Sequence, residues 1–383
     1  MSIRACQVGV RSARTLLPLG LIARSAVSHE TLTSRAFQRA QREISSSNRD
    51  LSKARSYEKG AVGDNPMTAL KLSGHMLGMA SDNKDRDWQL SILDIVTDKN
   101  TWLVGHRARI SGLAFHGDHL ISASHDGTCR IWDSVSKVSS QTLNHGSTKV
   151  NCLQVEGHTL VTGTDDATAS VWDLKTNKRE YVLDGHTEGV GCLSIDSGLL
   201  ATGSLDHTCR IWDVALGKCK RVLKEHTAPI TTIQLSDDTV VTGSSDGRCI
   251  SWNAKTGELL QKFEHGSEVT ALQFEGRVLI TAAKDGICRV WDLESGICTR
   301  ELKGHERRIN CLQMQDDLVA TGSDDCKTRL WNWKTGEYKV FSQFGEITHL
   351  VLKGTTLITG NSYGAIVRFD TNKPSSLPIL KRV

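Results

Sequence analysis

Short apolar runs alternate with turn residues along most of this chain. Stretches such as "LITAAK" (Leu279–Lys284) and "CRVWDL" (Cys288–Leu293) are rich in β-branched and apolar residues, and Asp285-Gly286 lies between them. Such runs read as strands, and a two-residue Asp-Gly link needs positive φ and fits a tight hairpin. Further turn signals, "KTGEL" and "ESGIC", lead into another short strand. The pattern predicts about four strands per unit. No stretch of helical period intervenes, which excludes a parallel sheet with crossover helices.

The units repeat. Trp132, Trp172, Trp212, Trp252, Trp291 and Trp331 fall 40, 40, 40, 39 and 40 residues apart, and Phe369 follows 38 residues later. A fixed period of this size signals stacked or ring-forming repeats rather than separate domains. Before each Trp comes an apolar pair, a Ser or Thr, small residues and an Asp, as in "LISASHD", "LATGSLD", "VVTGSSD" and "VATGSDD". With Gly-His at 105–106, 185–186 and 304–305 and Trp-Asp at 132–133, 172–173, 212–213 and 291–292, the chain resembles the WD40 family.

That resemblance implies an all-β, seven-bladed WD40 β-propeller over residues 92–383, its last blade degenerate, after a basic N-terminal extension over 1–91 that is disordered or short-helical. It also implies a role for the repeated His, Ser/Thr, Asp and Trp. In the family they form a hydrogen-bonded tetrad that ties a blade together. The sets are His106, Ser122, Asp126, Trp132; His145, Thr162, Asp166, Trp172; His186, Thr202, Asp206, Trp212; His226, Thr242, Asp246, Trp252; His265, Thr281, Asp285, Trp291; and His305, Thr321, Asp325, Trp331. Ser, His and Asp are also the parts of a hydrolase triad, but a triad occurs once, beside an oxyanion hole, whereas six copies mean architecture. The seventh unit, from "FGEITHL" onward, has no His in place, Tyr363 for the Asp and Phe369 for the Trp, so packing by Phe369 and Tyr363 is expected to stand in. Residues near Asn100–Val104 are expected to pair with the last three strands and close the ring, which would leave no open sheet edge.

Composition narrows the function. The chain has 383 residues and a net charge of +4. Residues 1–60 carry 11 Lys and Arg against 4 acids, a net +7, so the remainder carries 4 − 7 = −3 and has no field that would draw it onto nucleic acid or a membrane. Eleven cysteines show no CxxC spacing, and Cys129, Cys209, Cys249 and Cys288 sit in apolar runs, as buried reduced thiols do. There is no Gly-rich phosphate loop, no HExxH, no GxSxG and no acidic metal cluster. His116 and His119 stand three apart with no third ligand beside them. No catalysis, cofactor or metal is expected.

The expected function is a protein–protein interaction scaffold or adaptor, monomeric within a larger complex. In the family, partners touch the narrow top face, near the start of each first strand and just before the tetrad Asp. Carried over by position, the contact residues are Arg109, His125, Lys149, Asp165, Leu205, Glu268, Lys284, Arg308 and Asp324, with Ser111, Asn151, Gly191, Thr231, Thr270 and Asn310 in a second ring. Mixed charge argues against a phosphate-reading face, which needs convergent arginines. One alternative is a substrate receptor of a cullin-type ubiquitin ligase. No F-box is evident, and the adaptor motif Trp-Asp-x-Arg is approached only by "WDLK" at 172–175. Another is an RNA- or ribosome-associated propeller using the basic arm, which has few aromatics for stacking. The acid-poor start, with Arg4, Arg11, Arg14 and Arg24, has the composition of a mitochondrial transit peptide; otherwise a cytoplasmic or nuclear location is expected.

Overall fold

The structure is a computed structural model that describes residues 66–82, 88–133, 136 and 138–371, and the backbone of 379–382. The sequence readings on residues 1–65 lie outside the described residues. Eight four-stranded antiparallel sheets follow one another along the chain, each ordered from an inner strand outward to a fourth. Most carry a bulge near the start of the inner strand, as between Val190 and Cys192, and bulges sharpen local twist. The eight blades begin at Met67, Ile110, Val150, Val190, Ile230, Val269, Ile309 and Ile347.

The count of seven is therefore corrected to eight. The additional blade consists of Met67–Ser73, Met76–Ser81, Gln89–Asp94 and Asn100–Trp102, so two of its strands fall within residues 67–91, which the sequence reading left to the arm. The repeat grammar misses this blade because the defining side chains are absent. Leu77 pairs with Leu93 in the register where Leu200 pairs with Trp212, and Met79 takes the place of the tetrad hydroxyl. Its second turn is also four residues longer, Ala80 pairing with Leu90 where Gly203 pairs with Cys209.

Ring closure differs accordingly. Asn100–Trp102 pairs with Gln89–Asp94 of its own blade, not with the last sheet. The final blade takes its fourth strand from Ile379–Arg382, which pairs along Ala365–Arg368. Among the described residues no strand is exchanged across the seam, and the two end blades pack against each other. Met67, Leu72, Leu77, Met79 and Leu93 of the first blade share one core with Ile358 and Ile366 of the last. Thr348 Oγ1 donates to Met67 O at 3.3 Å, and Arg368 Nη1 to Ile95 O at 3.1 Å.

The remaining core is likewise interblade. Ile211 and Leu223 of one blade pack with Leu235, Ile250 and Trp252 of the next, and equivalent clusters occupy the other junctions. Cys129, Cys209, Cys249 and Cys288 are buried free thiols within them. Polar ties supplement this packing. Gln234 donates through Nε2 to Phe274 O (2.9 Å) and accepts from Phe274 N (2.8 Å) in the next blade. Gln154, Gln273 and Gln313 accept from Ile195, Met314 and Leu352 amides in the same way, and Ser194 from Leu235. Val351 and Ala114, at the same register, have no amide to offer.

Candidate interaction face and the blade tetrads

Three short elements assemble each tetrad: the segment entering the inner strand supplies His, the second strand the hydroxyl, and the third strand Trp. In the blade from Ile110, Trp132 Nε1 donates to Ser122 Oγ at 2.8 Å, and His106 places Nε2 2.7 Å from Ser122 Oγ and Nδ1 2.8 Å from Asp126 Oδ2. The chain of donors runs one way. With its oxygen accepting from Trp132, the serine hydroxyl donates to Nε2, which leaves the Nδ1 proton for the carboxylate. Asp126 also receives the Arg107 amide at 2.9 Å. Three further sets share this arrangement: His186, Thr202, Asp206 and Trp212; His226, Thr242, Asp246 and Trp252; and His305, Thr321, Asp325 and Trp331.

Two sets lack the His–Asp link. His145 Nε2 meets Thr162 Oγ1 at 2.8 Å, but Nδ1 is buried without a hydrogen-bond partner, and Asp166 bonds Thr164 and Thr168 instead. This histidine stands one residue further from its threonine, 17 rather than 16 positions, with Gly146 next at φ 82°. In the blade from Val269, Arg289 inserts between the partners. Its Nη1 lies 2.9 Å from His265 Nδ1 and its Nη2 2.9 Å from Asp285. Each of the three Gly-His sites faces an arginine at the matching third-strand position. A Cβ on Gly105 would come within 2.8 Å of Arg130 Nη1 and 3.1 Å of Trp132, and Gly185 and Gly304 face Arg210 and Arg329 likewise. Where Glu264 replaces that glycine, Arg289 turns to His265.

These groups carry the electrostatics of structural struts. Burial disfavours the Asp206 carboxylate, yet hydrogen bonds from Thr208, the Thr187 amide and His186 outweigh it and hold the pKa at about 2. Burial lowers the His186, His226 and His305 pKa values against the pull of their aspartates. His145 and His265, without that carboxylate bond, are driven down to about 4 by burial and by Arg179 and Arg289 respectively.

In the last blade Gln343 stands where His is missing, and its Nε2 donates to Thr359 Oγ1 at 2.6 Å. Phe369 fills the Trp position against Phe341, ring centres 4.6 Å apart. Tyr363 does not fill the core as expected from sequence. It stacks at the surface on Phe344, centres 5.0 Å apart and planes 28° apart.

The nine candidate contact residues all lie at one end of the ring, where one backbone bond repeats. The amides of His125, Asp165, Leu205, Ser245, Lys284 and Asp324 donate to the carbonyls of Arg109, Lys149, Gly189, Pro229, Glu268 and Arg308. Asp82–Pro66 and Ser362–Glu346 continue the ring in the end blades, positions that the Trp-based grammar could not flag in the first blade. Charges on this face are mixed and paired: Lys149 with Asp165 (3.9 Å), and Glu268 with both Arg308 (3.3 Å) and Lys284 (3.5 Å). Leu205 is 43% exposed among them. Four of the six second-ring residues reach the next blade, while Thr270 Oγ1 donates within its own blade to Ala282 O at 3.1 Å. Ser111 Oγ donates to Val150 O, Asn151 Nδ2 to Val190 O, Thr231 Oγ1 to Val269 O and Asn310 Nδ2 to Ile347 O.

The "WD domain, G-beta repeat" model matches residues 98–133, 137–173, 177–213, 217–253, 257–292 and 296–332, more than half of the chain. The chain belongs to the WD40 family. Each matched repeat straddles two blades, starting with the outer strand of one and ending with the third strand of the next. The chain is similar to the Nuclear distribution protein PAC1 of Lachancea thermotolerans, 31% identical over 85 residues, 22% of this chain and 19% of that protein. A probable E3 ubiquitin ligase complex SCF subunit, sconB of Aspergillus fumigatus, is 49% identical over 39 residues, 10% of this chain and 6% of its own. The chain thus spans under a fifth of the length of either. Among solved structures, the computationally designed Ika8 protein superposes with a TM-score of 0.75 at 27% identity, covering 82% of this chain and 98% of that one. The WD40 propeller of Doa1 superposes at 0.56 and 23% identity, covering 70% and 93%, and supports the fold alone.

Proposed function

We propose that this WD40 protein is a non-catalytic scaffold that assembles protein partners on the face carrying Arg109, His125, Lys149, Asp165, Leu205, Glu268, Lys284, Arg308 and Asp324. One contrast supports the reading. The side chains that resemble catalytic groups are buried in the tetrads and hydrogen-bonded to one another, whereas the side chains that vary from blade to blade gather in one solvent-open ring. A buried, neutral His sharing its Nε2 with a threonine that already accepts from Trp has no substrate to serve. A ring of paired charges with an exposed Leu205 has the mixed polar and apolar character of a protein-binding surface.

The test is affinity purification of the tagged full chain from its source cells, with partners quantified by mass spectrometry. Leu205→Asp combined with Lys284→Glu should reduce recovery of at least one partner by about tenfold or more. The control Lys255→Glu, on the opposite rim where Lys255 pairs with Asp238, should leave recovery unchanged. Equal recovery in all three proteins would remove the assignment of this face.

A further inference from the structure

Where the last blade has lost its tetrad, the binding-face end opens into a groove of about 490 Å³ between it and the preceding blade. Phe344, Tyr363, Glu346, Asp324, Arg307 and Pro66 line it. The aromatic pair is a product of the lost tetrad. With Gln343 replacing His, no carboxylate is needed at 363. Tyr363 lies over Gly345, where a Cβ would come within 2.3 Å of its ring, and φ is +94°. Phe344 is 65% exposed, an unusual position for a ring of this size, so one face of the stack meets solvent. Two carboxylates face one guanidinium in the groove. Asp324 is engaged by the Asn310 amide, while the exposed Glu346 carboxylate has no partner among the described residues. An open aromatic face beside a carboxylate is the environment that an arginine side chain satisfies twice, by stacking and by a charge-assisted hydrogen bond.

The chain carries such residues next to the groove. Pro66 is both part of the lining and the point from which residues 1–65 continue toward the N-terminus. Arg49, Lys53, Arg55 and Lys59 lie just upstream. Lys59 and Arg55 stand 7 and 11 residues before Pro66, which allows a reach of at most about 23 to 40 Å, ample to return to a groove that begins at Pro66. Tethering at this distance raises the local concentration to the millimolar range, so a weak contact suffices.

We propose that the groove is a docking site for the chain's own segment 49–59, with an arginine stacked on Phe344–Tyr363 and paired with Glu346. Occupancy places this segment in competition with partners at that sector of the face, although the docking itself does not depend on the scaffold reading. The full chain is digested with limiting trypsin and cleavage is followed site by site by mass spectrometry, in the wild type, Phe344→Ala and Glu346→Gln. Both variants should speed cleavage after Arg49, Lys53, Arg55 and Lys59 by about three- to tenfold, with cleavage after Arg4, Arg11 and Arg14 unchanged. If Phe344→Ala also exposes sites within the blades, it has unfolded the propeller, and the surface variant Glu346→Gln decides alone. Equal rates in the wild type and Glu346→Gln overturn the proposal. So does an added arginine peptide that binds the wild type but not the variants while those rates stay equal, which would assign the groove to a partner. No partner protein enters the assay, so its failure leaves the scaffold test standing.

Discussion

The blade Val190–Lys224 and the blade Met67–Trp102 have the same strand order and opposite solutions to the same problem. The first buries Trp212 and satisfies its indole N–H through Thr202, His186 and Asp206. The second places Leu93 and Met79 at the corresponding positions, with nothing polar to satisfy. The junctions divide the same way. From the blade at Val150 round to the one at Ile347, side-chain amides or hydroxyls grip the next backbone. At the seam, the contacts among the described residues include a shared apolar core and bonds from Thr348 and Arg368 to backbone carbonyls, with no side-chain amide gripping the next strand in the same way. A hydrogen-bonded blade is specified by a few side chains that must all be present. An apolar blade is specified only by shape, and many sequences satisfy it.

The largest expected effect is at the core of the hydrogen-bonded blade. Trp212→Ala removes a side chain that is 2% exposed and takes from Thr202 Oγ1 the indole donor, leaving the Thr202–His186–Asp206 chain beside a cavity, and should cost about 3–5 kcal/mol in urea unfolding. Leu93→Ala, at the equivalent place in the first blade, should cost about 2–3 kcal/mol. If Leu93→Ala proves the costlier, the seam holds the ring together.

Acid unfolding separates blades by their histidines. A histidine whose folded pKa lies below its unfolded value of about 6.5 binds its proton more readily when unfolded, so stability is lost as pH falls from about 6.5 toward 4. His145, at about 4, should account for roughly 2 kcal/mol of that loss. His145→Gln imports the last blade's solution, Gln343 on Thr359, and should flatten the slope of the urea midpoint between pH 6.5 and 4.5. An unchanged slope would mean that His145 is not a source of the loss. Asp206 acts in a lower window. Its folded pKa of about 2 lies below its unfolded value, so its contribution persists above about pH 4 and disappears as pH falls toward 2.

Gln234→Ala breaks two bonds to Phe274 and should cost about 1–3 kcal/mol by leaving a backbone amide and carbonyl without partners. Loss of less than half a kcal/mol would show that water repairs the junction. The smallest effect is at a turn. His207 holds φ +67° where other blades place glycine, as at Gly127 and Gly247, and His207→Gly should raise stability by up to about 1 kcal/mol in thermal unfolding.

Seven blades were legible in the residues: six announce themselves with Trp132, Trp172, Trp212, Trp252, Trp291 or Trp331 at a fixed period, and the last keeps that period with Thr359 and Phe369 in place of the full tetrad. The family, the strand order and the positions of the ring of candidate contact residues follow from that grammar. The first blade was invisible since Leu77, Met79 and Leu93 are ordinary apolar residues and a longer turn shifts the spacing. Without it the Asn100–Trp102 strand looked like a missing piece of the last blade. Local patterning also could not show that Arg289 would displace Asp285 from His265, or that Tyr363 would rise to the surface beside Phe344. The sequence by itself determined the repeating unit, because strand period, turns and tetrad are local. Only the tertiary structure decided how many units close the circle, because closure depends on how two apolar faces distant in the chain, Met67–Ser73 and Ile347–Lys353, fit together, and that fit leaves no motif behind.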